Sequence, residues 1–281
     1  MLQSFTYNTH PARVIFGAGS LSQLGAEVER LGLKRALVLS TSGRESEAER
    51  VREQISGSCV GIHAGAIMHT PVEATERALV RVQELGADGL IAIGGGSAIG
   101  LAKAIALRTD LPQIAVPTTY AGSEMTAVLG ETSGGRKVTQ SNAKVRPEVV
   151  IYDATLTLGL PPITSATSGM NAIAHAVEAL YARDRNPIID LMALEGASAL
   201  VRALPAIITD PARAVPREAP RLVAVFCRPP TSPDCSSGTD DTVTAPSCEA
   251  SAPMPRPMST IGIETAAAPA GDPVVATIAA P

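Results

Sequence analysis

The chain has 281 residues, 45% of them hydrophobic and 18% charged, with a formal net charge of -4, so it can bury a substantial core and has room for two domains. The acidic balance leaves no basic footprint for nucleic acid. No apolar stretch is read as reaching a membrane span, and the opening MLQSFTYNTHPARVIF lacks the charged-then-apolar plan of a signal peptide, so a cytoplasmic location is expected.

In chain order, residues 13–16 read as a strand and Gly17-Ala18-Gly19 as a turn. Ser20 is a good N-cap for a helix through Leu31, closed by Gly32. Residues 36–39 form a buried strand, followed by the polar turn Ser40-Thr41-Ser42-Gly43 and a charged, solvent-facing helix to about Ile55. Residues 60–66 make another strand, and Pro71 opens a helix through Leu85.

The next two strands, 90–93 (LIAI) and 113–116 (QIAV), each stop in a loop suited to phosphate and hydroxyl groups. After the first, Gly94-Gly95-Gly96-Ser97 follows without a spacer and a helix is predicted over 98–107. Glycines let the backbone approach an anion, and the free N–H groups of a helix start favour a pyrophosphate. After the second, Pro117-Thr118-Thr119 places two hydroxyls toward the same crevice. GGGS alone is as consistent with structural punctuation, being neither the spaced dinucleotide fingerprint nor a Walker loop. A short strand at 149–152 finishes an α/β domain whose alternation argues a parallel sheet, with ligands at the strands' carboxyl ends. From Leu160 the character turns helical, with Pro161-Pro162 at the junction and Asn171 and His175 four apart on one helix face. The domains are drawn as 1–159, an α/β dinucleotide-binding unit; 160–215, an incomplete all-α unit; and a Pro/Ala-rich tail, 216–281.

GLIAIGGGSAIGLAKAIAL, PTTYAGSEMT and SGMNAIAHAVEALYA together resemble the iron-containing alcohol dehydrogenase family, and within it the maleylacetate reductases. The resemblance runs to about Asp210 and implies an NADH- or NADPH-dependent oxidoreductase. Its cofactor residues would be Gly94, Gly95, Gly96, Ser97, Thr118 and Thr119, with Thr41 where many members carry an acidic residue that discriminates against NADPH. Thr41 is equally consistent with a hydroxyl that caps the next helix. Metal-dependent members carry an aspartate where this chain has Asn171, and a neutral carboxamide is a poor cation ligand. No metal is therefore expected, His175 being the remaining candidate ligand. The chemistry implied is reduction of the carbon–carbon double bond of maleylacetate or chloro-substituted analogues to 3-oxoadipate, in degradation of aromatics through hydroxyquinol or chlorocatechol. His175 and Tyr120 are the candidate catalytic groups, whereas Ser123 and Glu124 are equally consistent with capping. A homodimer is expected, with neither nucleic acid nor membrane as partner. The alternatives are a metal-dependent alcohol dehydrogenase of the same superfamily and a non-catalytic nucleotide-binding fragment.

After Leu222 the chain has no leucine, lysine, histidine, asparagine, glutamine or tyrosine, and ten of its 22 prolines. Such a segment offers no periodic apolar face and is expected to be disordered or out of frame, leaving this chain inactive. Met254-Pro255-Arg256-Pro257-Met258 can be written ATG-CCG-AGA-CCC-ATG, which after a preceding C reads CAT-GCC-GAG-ACC-CAT, or His-Ala-Glu-Thr-His, a motif that members of the resembled family carry. A natural Pro/Ala-rich tail remains the alternative, and sequencing the gene across codons 210–235 separates the two. Cys59, Cys227, Cys235 and Cys248 fit no zinc spacing and read as incidental thiols.

Overall fold

Among the described residues eight strands form: β1 (Arg13–Phe16), β2 (Ala36–Thr41), β3 (Cys59–Ala66), β4 (Gly89–Gly94), β5 (Gln113–Pro117), β6 (Val128–Ser133), β7 (Arg136–Ser141) and β8 (Val149–Tyr152). Six of them pair as one parallel sheet in the order β1-β8-β5-β4-β2-β3, and β6 and β7 form a separate antiparallel hairpin. The computed structural model describes residues 13–210 except 184, together with residue 5. The expectations for the tail, including Cys227, Cys235, Cys248 and the stretch at 254–258, lie outside the described residues.

The central strands are continuous apolar runs because helices cover both faces. Alternate side chains point to opposite sides. Val38, Ile91, Ile93, Ile114 and Val116 pack beneath α1 (Leu24–Arg30) and α2 (Glu45–Gln54), while Leu37, Leu39, Leu90, Ala92 and Ala115 pack beneath α3 (Val72–Leu85) and α4 (Gly96–Thr109). From β2 the chain first adds β3 on one side and then crosses to β4 on the other. The point of reversal, between β2 and β4, opens a crevice at their carboxyl ends.

The strand and helix predictions for this region hold to within a few residues, with three differences. Ser20 does not cap a helix: its Oγ donates to Tyr152 O (3.1 Å), and the chain enters a short 3-10 turn before α1. Asp153 holds that turn instead, accepting from the N–H groups of Gly19 and Leu21 at 3.0 Å each. The helix predicted over 98–107 begins at Gly96, since a helix's first residues need no intrahelical N–H partner. The β6–β7 hairpin was not anticipated, although Gly134 and Gly135, with φ of 55° and 78°, make the two-residue turn that such a hairpin favours.

Two long helices follow, α5 (Pro162–Tyr181) and α6 (Pro187–Thr209). Asn186 caps α6 through the N–H groups of Ile188 and Ile189, with Pro187 in the first helical position. Ser165, Gly169, Ala172, Ala176 and Ala179 make a buried small-residue face on α5, against Ala193, Leu200, Leu204 and Ile207 of α6. A Cβ at Gly169 would collide with Leu204. One expectation needs correction: α6 is long and apolar enough, by length and composition alone, to cross a membrane. Its Leu200 and Ile207 are nonetheless buried in the seam with α5.

Candidate active site

The two loops after β4 and β5 lie side by side, but of the predicted cofactor residues only Gly96 and Ser97 line the neighbouring cleft, Thr118 being buried. Gly94 pairs with Pro117 in register, and Thr118 N–H donates to Gly94 O at 2.9 Å. Gly94 has φ +143°, a conformation closed to other residues in practice. A Cβ at Gly95 would lie 3.0 Å from Thr119 Cγ2, so the loops are in van der Waals contact. Above Gly96 the space is open, with no atom within 4 Å of a Cβ built there. The first turn of α4 has no side-chain cap and no acidic residue, leaving its N–H groups and the positive end of the helix dipole available to an anion.

Gly96, Ser97 and Gly100 form one wall of a cleft of about 450 Å³. The same cleft is lined by residues that sequence reasoning missed. Lys137 and Thr139, two apart on β7, flank Gly130 of β6, and Lys137 lies across Gly130 with its Cε 2.7 Å from where a Cβ would sit. His69 and Thr70 close a third side in left-handed conformations, φ 66° and 47°, rare for residues other than glycine and costly for a β-branched one. Thr132 of the hairpin holds them, donating from its N–H to Thr70 O and from Oγ1 to His69 O, both at 3.1 Å. With Lys137 and the N-terminus of α4 in its lining, the cleft is suited to negative charge. The Gly134-Gly135 turn in the sequence was the signal for this wall.

Thr41, half-buried, ends β2 beside β4 at the reversal point, outside the lining of this cleft. Tyr120 does not open to solvent. Its side chain is 1% exposed, and its backbone N–H donates to Ser168 Oγ on α5 at 3.2 Å. Ser168, Asn171, His175 and Glu178 follow at helical spacing along one face of α5, so the loop holding Tyr120 meets the first residue of this polar stripe. Asn171 is exposed, and His175 pairs through Nδ1 with Glu178 Oε2 at 3.0 Å. Glu124 is fully buried and accepts from Tyr152 Oη at 2.7 Å, so it is a structural carboxylate rather than an exposed cap.

Residues 11–154 match the family model described as iron-containing alcohol dehydrogenase, and residues 165–224 match its C-terminal counterpart. Maleylacetate reductase from Rhizobium sp. (strain MTP-10005) is 52% identical over 226 residues, 80% of this chain and 64% of that protein. Maleylacetate reductase 1 of Rhodococcus opacus is 49% identical over 207 residues, 74% of this chain and 58% of its own length. The chain thus spans about three-fifths of the curated relatives it matches. Among solved structures, a maleylacetate reductase from Agrobacterium tumefaciens superposes with a TM-score of 0.78 at 51% identity, covering 80% of this chain and 65% of that one. A sulfoacetaldehyde reductase from Bifidobacterium kashiwanohense, solved with NAD+, gives 0.75 at 25% identity over 81% of this chain and 66% of its own.

The family description implies iron, and the described residues do not fit it. No three His, Cys, Asp or Glu side chains cluster among them, whereas a stable site needs at least about three protein ligands. The stripe on α5 contributes one imidazole, already bonded to Glu178, and the uncharged amide of Asn171.

Proposed function

The chain belongs to the iron-containing alcohol dehydrogenase family, and we propose that it carries the cofactor-binding half and the first catalytic helices of an NAD(P)H-dependent maleylacetate reductase. Identity of 47–52% to maleylacetate reductases over 74–80% of the chain supports the substrate class. The observation that carries the cofactor reading is the open space over Gly96 at an uncapped helix start, in a cleft that Lys137 also lines.

In this reading the N–H groups of α4, Ser97 and Lys137 hold the pyrophosphate, while Thr118 and Thr119 hold the adjoining hydroxyls. Thr41 reads the adenosine ribose, and with no carboxylate at that position either nicotinamide is accepted. When bound, the reduced nicotinamide supplies a hydride to the alkene carbon β to the substrate's ketone. The electron pair moves onto the ketone oxygen, and the resulting enolate takes a proton at its α carbon. His175, half-exposed and held by Glu178, is the proton source, and Tyr120, being buried, positions the loop against Ser168. Asn171 contributes a hydrogen bond where a metal ligand would otherwise be needed. A homodimer in the cytoplasm completes the proposal.

Its test is NADH oxidation with maleylacetate, compared with NAD+-dependent oxidation of a simple alcohol, each with and without a chelator. Maleylacetate-dependent oxidation that survives chelation is expected of a version restored to the family frame beyond codon 210, with little or none from this chain, together with far less than one iron or zinc per chain by elemental analysis. Alcohol oxidation abolished by the chelator would overturn the reading.

A further inference from the structure

Lys103 is among the largest fully buried side chains, at 1% exposure. It lies on α4 seven residues after Gly96, on the helix face that lines the cleft. Its Nζ donates to Thr126 O at 2.7 Å, to Val128 O at 2.9 Å, to Thr126 Oγ1 at 3.1 Å and to Ser123 O. All four oxygens belong to the stretch 123–128, which leaves the loop after β5 and enters β6. A buried ammonium is costly unless it is well ligated. Buried backbone carbonyls converging on one point likewise need a donor between them. Each side therefore depends on the other. Upstream this stretch continues into Thr118, Thr119 and Tyr120; downstream it becomes the hairpin that carries Lys137 and Thr139.

We propose that Lys103 is a positioning residue for the cofactor cleft: its ammonium clasps the 123–128 backbone to α4 and so sets the separation between the glycine wall and the Lys137 wall. The proposal rests on the cleft taking a dinucleotide, and the experiment separates the two. Lys103→Met and Lys103→Ala are compared with the unaltered chain by hydrogen exchange without cofactor and by NADH fluorescence titration. Lys103→Met should exchange at least about tenfold faster in 123–133 while β2, β4 and β5 keep their protection, and its Kd for NADH should rise at least about tenfold, the scale of a buried charged hydrogen-bond set. In Lys103→Ala, n-propylammonium should restore both readouts, whereas tetramethylammonium, which has no N–H to donate, should restore neither.

A rise in Kd without faster exchange in 123–133 would mean that the charge acts on the ligand directly, and would overturn the positioning role. So would unchanged exchange, or a loss of protection across the whole sheet that propylammonium does not reverse. If the unaltered chain fails to bind NADH, the cofactor reading falls, yet the exchange and rescue results still decide whether Lys103 is the clasp.

Discussion

At the scale of single residues, Gly96 is a sharper probe of the cleft than its neighbour Gly95. A side chain at Gly95 would push on Thr119, itself a candidate cofactor residue, so loss of binding there has two causes. Gly96 meets nothing of the protein. Gly96→Val should leave stability within about 1 kcal/mol and raise the Kd for NADH at least about tenfold by filling the phosphate position; unchanged affinity by fluorescence titration would remove Gly96 from the site. Asp153 is a different kind of residue. Burial works against its charge, but hydrogen bonds from Thr155 Oγ1 and from the N–H groups of Leu21, Gly19 and Thr155 outweigh it and hold its carboxyl below the ordinary value. A folded pKa below the unfolded one contributes stability that is present above the unfolded value, about 3.9, and is lost as pH falls from there through the folded value. Asp153→Asn should cost about 2 kcal/mol at neutral pH and flatten the acid limb of a denaturation series from pH 7 downward. An unchanged acid limb would assign that pH dependence elsewhere.

At the scale of elements, what was legible and what was not have separate physical causes. Each core strand of the parallel sheet is a short apolar run bounded by glycine, proline or polar residues, so β2, β4, β5 and β8 announce themselves in the sequence. The glycine and threonine loops were legible for the same reason, as interruptions at strand ends. The β6–β7 hairpin has no such run: its second strand, RKVTQS, is almost wholly exposed. Its only local mark is Gly134-Gly135. His69 and Thr70 were equally silent, because their left-handed backbone is held by direct hydrogen bonds from Thr132 of the hairpin, distant in sequence, and not by their own preferences. The hairpin nonetheless bears Lys137, the cation proposed to hold the pyrophosphate, and Lys137→Ala tests that role. The Kd for NADH should rise about three- to tenfold in low salt, and the gap between variant and parent should narrow as ionic strength screens an exposed charge. A salt-independent difference would mean that Lys137 acts by shape, through its packing on Gly130.

At the scale of the whole molecule, the helix pair α5–α6 is apolar on more than the face it buries. Ile163, Met170, Val177 and Tyr181 recur along α5, and Leu191, Leu194, Val201 and Ile208 along α6, all exposed and none in the seam formed by Gly169, Ala176, Leu200 and Ile207. Eight large apolar side chains on two adjacent helices exceed the scattered exposure usual on a monomer. The same composition gives α6 a hydropathy that would suit a membrane. Its Asp190, Glu195 and Arg202 would each be costly at a bilayer centre, which favours protein contact over lipid. Concentration-dependent self-association is therefore expected in solution. Leu194→Glu combined with Val201→Glu should shift the sedimentation distribution toward monomer, because a charge at either position would be desolvated in an apolar contact. NADH affinity should be unchanged in that variant, since the cleft is lined by β3–α3, α4 and hairpin residues and by none from α5 or α6. Monomeric behaviour of the unaltered chain at all concentrations would show that these faces are covered within the molecule, and an accompanying loss of NADH affinity in the double variant would show that the helix pair supports the cleft through the Tyr120–Ser168 contact.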